Sequence, residues 1–198
     1  MKPERAPAIS VLRAATREQH RGLEALLPIA RPEADAGTYA RYAAAMFGWL
    51  APFEAALWSA PWPGELARGR DAKASWLIED LAAAGLDPSR VPRCQHAPPL
   101  ASEAQRFGVA YVLEGATLGG QSLLRTLGPR LAPWPLRFLR GYGTETGPRF
   151  AALLAALEER LATDAARAEA GQAAAEAFGQ LAGWLPREIA DGRTGPGI

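Results

Sequence analysis

Cysteine is almost absent from this sequence, because Cys94 is the only one among 198 residues. A single cysteine allows no internal disulfide and no thiolate cluster, so the chain fits a reducing compartment without requiring one. Histidine is scarce too, with only His20 and His96. Two histidines cannot build the His-Glu-x-x-His site of zinc proteases or the paired Glu-x-x-His motifs of di-iron bundles. We interpret Cys94 and His96, which share a proline-rich loop, as incidental neighbours rather than metal ligands.

An excess of charge of either sign is also missing. The chain has 22 basic and 21 acidic residues, which give a formal net charge of +1. Since the arginines are spread along the chain, no basic patch points to nucleic acid, and we expect no nucleic-acid partner. No apolar run approaches the roughly 20 residues of a membrane span, and residues 1–7 do not lead into a signal-peptide core. We therefore predict a cytoplasmic protein without a membrane partner.

Valine and isoleucine are few, and no segment alternates between apolar and polar residues as a strand does. Alanine and leucine are abundant, so we predict an all-α fold. A chain of 198 residues can bury about 70% of its surface and enclose a ligand, which favours a single domain over 1–198 with its core at about 8–185 and a frayed tail at 187–198. Helices are predicted at 8–27, 36–59, 64–84, 100–127, 145–162 and 164–185.

The most informative stretch is residues 111–121, where a helical pattern contains Gly115, Gly119 and Gly120. Each glycine inside a helix costs about 1 kcal/mol relative to alanine, so close packing or function must offset this loss. On a helix, Gly108, Gly115 and Gly119 fall on one side and form a flat stripe of small residues. Such a stripe can accept a flat ligand or the side of another helix.

A second signal lies near the amino terminus. On a helix, His20 lies at the edge of an apolar face, and Arg13, Arg17 and Glu24 line its border. A histidine in this position is either a packed core residue or a ligand. The neighbours favour a ligand, because the arginines can bind carboxylates and Glu24 can accept the Nδ1 proton, so that Nε2 can bind iron.

At these two places the sequence resembles the haem oxygenase family, in its bacterial, biliverdin-forming branch. The family has a proximal histidine in an L-(K/R)-x-x-T-x-x-x-H helix, which residues 12–20 match, and a glycine-rich, kinked distal helix, which residues 111–121 match. Residues 141–150 and the helix around Phe178 also look like family segments. The resemblance therefore covers about residues 8–185.

The resemblance implies a haem-oxygenase-like helical fold with haem between the proximal and distal helices, as both substrate and cofactor. It implies conversion of haem to biliverdin, carbon monoxide and ferrous iron with O2. It also implies His20 as the iron ligand and Glu24 as its orienting partner. The candidate site residues are Gly115, Gly119, Gly120 and Thr117 for catalysis, Arg13, Arg17, Glu24, Tyr111, Gly115, Gly119, Arg149 and Phe178 for haem binding, and His20 for iron.

One position departs from part of the family. Many members carry an aspartate directly after the first distal glycine, where it organises the waters that deliver protons, whereas this chain has Ala116. Some bacterial relatives have a serine there. Thr117, Glu114 and Gln121 remain as candidates to hold ordered water.

The basic residues that bind the haem propionates in animal members are also poorly matched, since residues 151–154 read Ala-Ala-Leu-Leu. Arg13, Arg17, Tyr111 and Arg149 are the available replacements. Among these, we expect the two arginines near His20 to hold a propionate.

The sequence has no dinucleotide-binding loop, because residues 115–120 follow a helical pattern rather than a strand. Electrons are therefore expected from an external donor, either a ferredoxin or another reductase. Family association suggests a bacteriophytochrome as a recipient of biliverdin.

Two alternatives stay open. The first is a haem carrier or sensor that has the same pocket but no turnover. The second is a helical interaction module without haem, in which Gly115 and Gly119 only pack helices and His20 is buried and inert.

Overall fold

The computed structural model of the chain describes residues 6–191, apart from the side chains of residues 24–26, 190 and 191. All regular secondary structure in this part is helical, which confirms the all-α prediction. Three short 3₁₀ turns lie in the connections, at Pro28–Ala30, Pro88–Arg90 and Gly143–Glu145. The α-helices are α1 (Ala8–Leu26), α2 (Ala36–Leu50), α3 (Glu54–Ser59), α4 (Lys73–Ala83), α5 (Glu103–Leu131), α6 (Arg137–Arg140), α7 (Thr146–Arg160) and α8 (Asp164–Asp191).

The prediction of one helix over 36–59 is wrong, because α2 ends at Leu50 and α3 begins at Glu54. Pro52 lies in the break and has no N–H to donate back to the carbonyl of Gly48. That carbonyl instead accepts a hydrogen bond of 2.9 Å from the backbone N–H of Cys94. The loop that contains Cys94 therefore completes the end of α2.

The prediction of a helix over 64–84 is also wrong in its first half, since α4 starts only at Lys73. Gly64 and Gly69 adopt φ angles of +52° and +64°, and these left-handed conformations produce turns instead of a helix. The first turn of α4 is capped from another helix. The Glu54 carboxylate accepts the backbone N–H groups of Lys73 and Ala74 at 2.9 and 2.8 Å.

Helix α8 packs against both α1, which contains His20, and α5, which contains the glycine stripe. A Cβ on Gly108 of α5 would lie 2.2 Å from the carbonyl oxygen of Ala170, so only glycine permits this approach. A Cβ on Gly171 of α8 would lie 3.3 Å from Cγ1 of Val11 on α1. Small residues on α8 thus bring α1 and α5 close to a common support.

The start of α1 is anchored by α7. The Glu158 carboxylate accepts the backbone N–H groups of Ala8 and Ile9 at 2.9 and 2.8 Å. These N–H groups have no partners inside the helix, so the carboxylate satisfies them and complements the positive end of the helix. The contact fixes the position of the helix that carries His20.

Large side chains of α2 form part of the core, since Tyr39, Tyr42, Met46 and Trp49 are each at most 5% exposed. At the other end of the chain, α8 runs to Asp191, six residues beyond its predicted end at 185. Pro186 removes one N–H donor but does not end the helix. Helix α8 thus includes residues 187–191 of the predicted tail, and residues 192–198 lie outside the described part.

Candidate functional site

A cavity of about 710 Å³ lies between α1, α2, α5 and α8, with Phe150 of α7 at one side. Its size falls in the usual range for small-molecule and cofactor sites. Most of its lining is apolar. The polar side chains in the lining are those of Thr16, His20, Tyr42, Tyr111 and Ser122.

The glycines of α5 differ in what surrounds them. A Cβ on Gly115 or Gly119 would meet nothing within 4 Å, and both residues line the cavity. A Cβ on Gly120 would lie 3.4 Å from Cα of Leu139, while Gly108 is in close contact with α8. The idea that Gly115 and Gly119 pack helices is therefore wrong, because their bare backbone faces open space inside the cavity.

His20 and Phe178 come together from the two ends of the chain. Their ring centroids are 5.7 Å apart and their planes are tilted by 43°. Both rings line the cavity, and His20 is exposed, so it lies at the solvent-facing edge of the cavity. His20 is therefore not buried, while its role as an iron ligand stays a prediction. The side chain of Glu24 lies outside the described residues, and its contact with His20 stays a prediction.

Tyr111 lines the cavity and packs against Phe150, with ring centroids 6.1 Å apart. Arg13 and Arg17 lie on α1 with exposed side chains and do not line the cavity. Arg17 precedes His20 by three residues, which is close to one helical turn. Arg13 precedes His20 by seven residues, about two turns, so both arginines follow the His20 side of α1, and propionate binding by them stays a prediction.

The structure places Arg149 away from the cavity. Its Nη1 donates to the carbonyl of Arg68 at 2.9 Å, and its guanidinium lies over the ring of Tyr142 at 4.4 Å from the centroid. It lines a separate hollow between α4, α6 and α7. Arg149 is therefore poorly placed to hold a propionate in the cavity.

The three residues considered for water binding also face away from the cavity. Thr117 is fully buried, and its Oγ1 donates to the carbonyl of Leu113 at 3.0 Å. Nε2 of Gln121 donates to the carbonyls of Leu139 and Arg140 at 3.1 and 2.8 Å. With Glu114, these residues occupy the side of α5 opposite to Gly115 and Gly119, because spacings of three and seven residues return to the same helix face.

Glu114 belongs to a buried charged cluster that the sequence did not reveal. Its carboxylate lies 2.8 Å from Nζ of Lys73 and 2.9 Å from Nη1 of Arg70. The Tyr142 hydroxyl donates to the same carboxylate at 3.0 Å, and Nζ of Lys73 lies 2.6 Å from that hydroxyl. Burial lowers the pKa of Lys73, while the charge of Glu114 opposes this shift.

Tyr42 of α2 is a cavity residue that the sequence did not single out. Its side chain is 5% exposed and it lines the cavity. Burial raises the pKa of its phenol, so the hydroxyl stays protonated at neutral pH and can donate a hydrogen bond. An aromatic stripe at helical spacing gives no sign of which ring faces a cavity, so only the fold could identify this residue.

The family model described as Heme oxygenase matches residues 6–186. The chain belongs to the haem oxygenase family. A comparison with individual curated proteins gives no match. In the described part of this haem oxygenase, no helix is long and apolar enough to cross a bilayer, and no three His, Cys, Asp or Glu side chains gather to hold a bare metal ion.

The cavity of this family member is compatible in shape and chemistry with haem. A flat macrocycle needs an apolar slot, and Gly115 and Gly119 leave open the space that side chains would fill. Phe150 and Phe178 supply aromatic surface, and His20 is the one histidine in the lining. An imidazole is an ordinary axial ligand of haem iron. The donor set and the shape therefore agree with haem.

Proposed function

We propose that this haem oxygenase oxidises haem to biliverdin, carbon monoxide and ferrous iron, with O2 and electrons from an external donor. The observation that carries the proposal is the open space over Gly115 and Gly119 in a cavity that also contains His20. A glycine in a helix weakens it by about 1 kcal/mol, and at these two positions no helix packing offsets that loss. A flat ligand that lies against this bare backbone would explain why both positions are glycine.

If the proposal is right, residues of α1, α5 and α8 hold the haem. His20 would bind iron through Nε2, and Glu24 would hold the ring by accepting from Nδ1. Arg13 and Arg17 would contact a propionate at the solvent-facing edge, where charge-assisted hydrogen bonds to carboxylates are favourable. Tyr111 would donate a further hydrogen bond, and Phe178 would pack beside the His20 ring.

When bound, haem supplies both the iron that activates O2 and the porphyrin carbon that is oxidised. The protein contributes the shape of the cavity and the exclusion of bulk water from it. A neutral imidazole at His20 would donate less electron density to iron than a cysteine thiolate would. The bare backbone at Gly115 and Gly119 leaves room for O2 on the distal side, and the apolar lining keeps bulk water out.

Ala116 lines the cavity without a polar group, so another residue must hold the water that delivers protons. Thr117, Glu114 and Gln121 point elsewhere. The hydroxyls of Tyr42 and Tyr111 are the better candidates, because both residues line the cavity and a phenol can both donate and accept.

The electron donor in this proposal is a ferredoxin or another reductase, since the sequence carries no nicotinamide-binding motif. A bacteriophytochrome is the proposed recipient of the biliverdin. The alternative of a haem carrier or sensor draws support from Ala116, which replaces the aspartate of many relatives. Turnover separates the two functions.

The test begins with hemin added to the haem-free protein, followed by ascorbate or a ferredoxin system in air. We expect a Soret band, then the absorbance of biliverdin and the release of carbon monoxide. His20→Ala should lose the wild-type spectrum and regain it with added imidazole, whereas His96→Ala should match the wild type. Haem binding without any biliverdin would favour the carrier, and no haem binding would exclude both haem functions.

A further inference from the structure

A second hollow of about 400 Å³ opens on the side of the molecule where α4, α6 and α7 meet. It shares no lining residue with the haem cavity. Gly141, in its wall, packs against Thr117, on the side of α5 that faces away from Gly115 and Gly119. The hollow is therefore a separate feature, and nothing in the proposed haem chemistry uses it.

Three arginines line the hollow, and each is held in place. The guanidinium of Arg137 lies 4.4 Å from the ring centroid of Trp76, and its Nη1 donates to the carbonyl of Gly141 at 2.7 Å. Nε of Arg140 donates to the carbonyl of Pro135 at 2.7 Å. Arg149 is fixed by the carbonyl of Arg68 and by the Tyr142 ring, as described above.

None of these three guanidinium groups forms an ion pair with a carboxylate of the residues that the structure describes. A guanidinium carries five N–H donors, and the contacts to carbonyls use few of them. Glu145 is the one acidic residue in the lining. Among the described residues, the hollow thus combines three oriented cations with one anion, and most of its donors have no acceptor there.

We propose that this hollow binds the phosphate group of a small-molecule ligand. A single carboxylate is satisfied by one guanidinium fork, whereas three guanidinium groups around one space match a tetrahedral, doubly charged oxyanion. The volume admits one phosphate or diphosphate group and leaves the rest of a ligand outside. Trp76 and Tyr142 lie under the guanidinium groups of Arg137 and Arg149, so the hollow offers charge rather than a stacking surface.

The experiment uses the haem-free full chain, so its result is independent of haem oxidation. Inorganic phosphate and pyrophosphate are titrated by calorimetry at constant ionic strength. We expect pyrophosphate to bind with a dissociation constant below about 1 mM. Arg140→Gln and Arg149→Gln should each raise it at least about tenfold, while the matched control Arg90→Gln, an exposed arginine on a 3₁₀ turn, should leave it unchanged.

Two results would overturn the proposal. One is the absence of phosphate and pyrophosphate binding, or an equal loss in Arg90→Gln, which would indicate unspecific attraction. The other is citrate binding as tight as that of pyrophosphate, which would assign the hollow to carboxylates. Thermal melts establish that each variant is folded, and if Arg149→Gln is not, Arg140→Gln and Arg140→Lys decide the question, since lysine keeps the charge but loses the fork.

Discussion

Lys73 and Glu114 form an ion pair with 2.8 Å between Nζ and Oε1, and their side chains are 0% and 1% exposed. Glu114 directly precedes Gly115, so this pair ties the glycine-rich part of α5 to the start of α4. Arg70 adds a second cation, and Tyr142 adds a hydroxyl. A buried ion pair of this kind need not add net stability. Removal of one partner nevertheless destabilises the fold strongly, because the other charge stays buried and unpaired.

We therefore predict that Glu114→Gln destabilises the fold by about 3–5 kcal/mol, because Arg70 and Lys73 stay buried without the carboxylate that pairs with both. The free energy of unfolding from urea titration measures this. Glu103→Gln is the control, since it breaks an exposed pair with Arg160 that should contribute less than about 1 kcal/mol. Equal effects of the two variants would show that the cluster does not hold α5.

The helical fold and the family could be predicted from the sequence. So could the importance of His20, Gly115 and Gly119, which all line the cavity. Local spacing carries this information, because a histidine beside arginines or a glycine stripe is visible within a few turns of helix. It did not reveal the partners of Glu114, because Lys73 and Arg70 lie more than forty residues away along the chain. A lone acid between apolar residues was the only local sign.

Arg149 shows that the direction of a side chain could not be predicted from its neighbours in sequence. Its neighbour Phe150 lines the cavity that contains His20, but successive residues on a helix point about 100° apart, so Arg149 faces the second hollow. Adjacency in sequence was a poor guide to the direction of the side chain. The break in the predicted helix 36–59, by contrast, was visible in the sequence as Pro52.

Two glycines of α5 should respond in opposite ways to the same substitution. Gly108→Ala should destabilise the protein by about 1–3 kcal/mol, because the new Cβ would overlap the carbonyl of Ala170 on α8. Gly119→Ala should leave stability unchanged or raise it by up to about 1 kcal/mol, since its Cβ meets open space. Thermal melts of the haem-free variants compare the two, and a destabilised Gly119→Ala would mean that the cavity is closed in solution.

Arg13 and Arg17 allow a test of propionate binding. Replacing both with alanine should weaken haem binding roughly tenfold, because exposed charge-assisted contacts contribute modestly and are screened by salt. Hemin titration followed at the Soret band measures the affinity, with Arg90→Ala as the control. A wild-type affinity in the double variant would transfer the anchoring role to Tyr111.

Asp35 provides a prediction about pH. Its carboxylate accepts hydrogen bonds of 2.7 Å from the N–H and the hydroxyl of Thr38, which hold its pKa below the ordinary value of 3.8. The stabilisation is therefore present above pH 3.8 and is lost as the pH falls through the lower, folded-state value. Asp35→Ala should cost about 1 kcal/mol at neutral pH and less in acid. Urea titrations at both pH values measure the difference, and Glu33→Ala, also exposed, should show no comparable cost.

Gly119→Leu tests whether the open distal side is needed for turnover. The substitution places an isobutyl group in the space that the bare backbone leaves, where we expect O2 and ordered water. Haem should still bind through His20 and give a Soret band, yet biliverdin and carbon monoxide should no longer form with ascorbate or a ferredoxin system. Gly183→Leu is the matched control, because a Cβ there also meets nothing within 4 Å but the residue does not line the cavity. Full turnover by Gly119→Leu would mean that the chemistry takes place away from the glycine stripe, whereas equal losses in both variants would trace the effect to the fold.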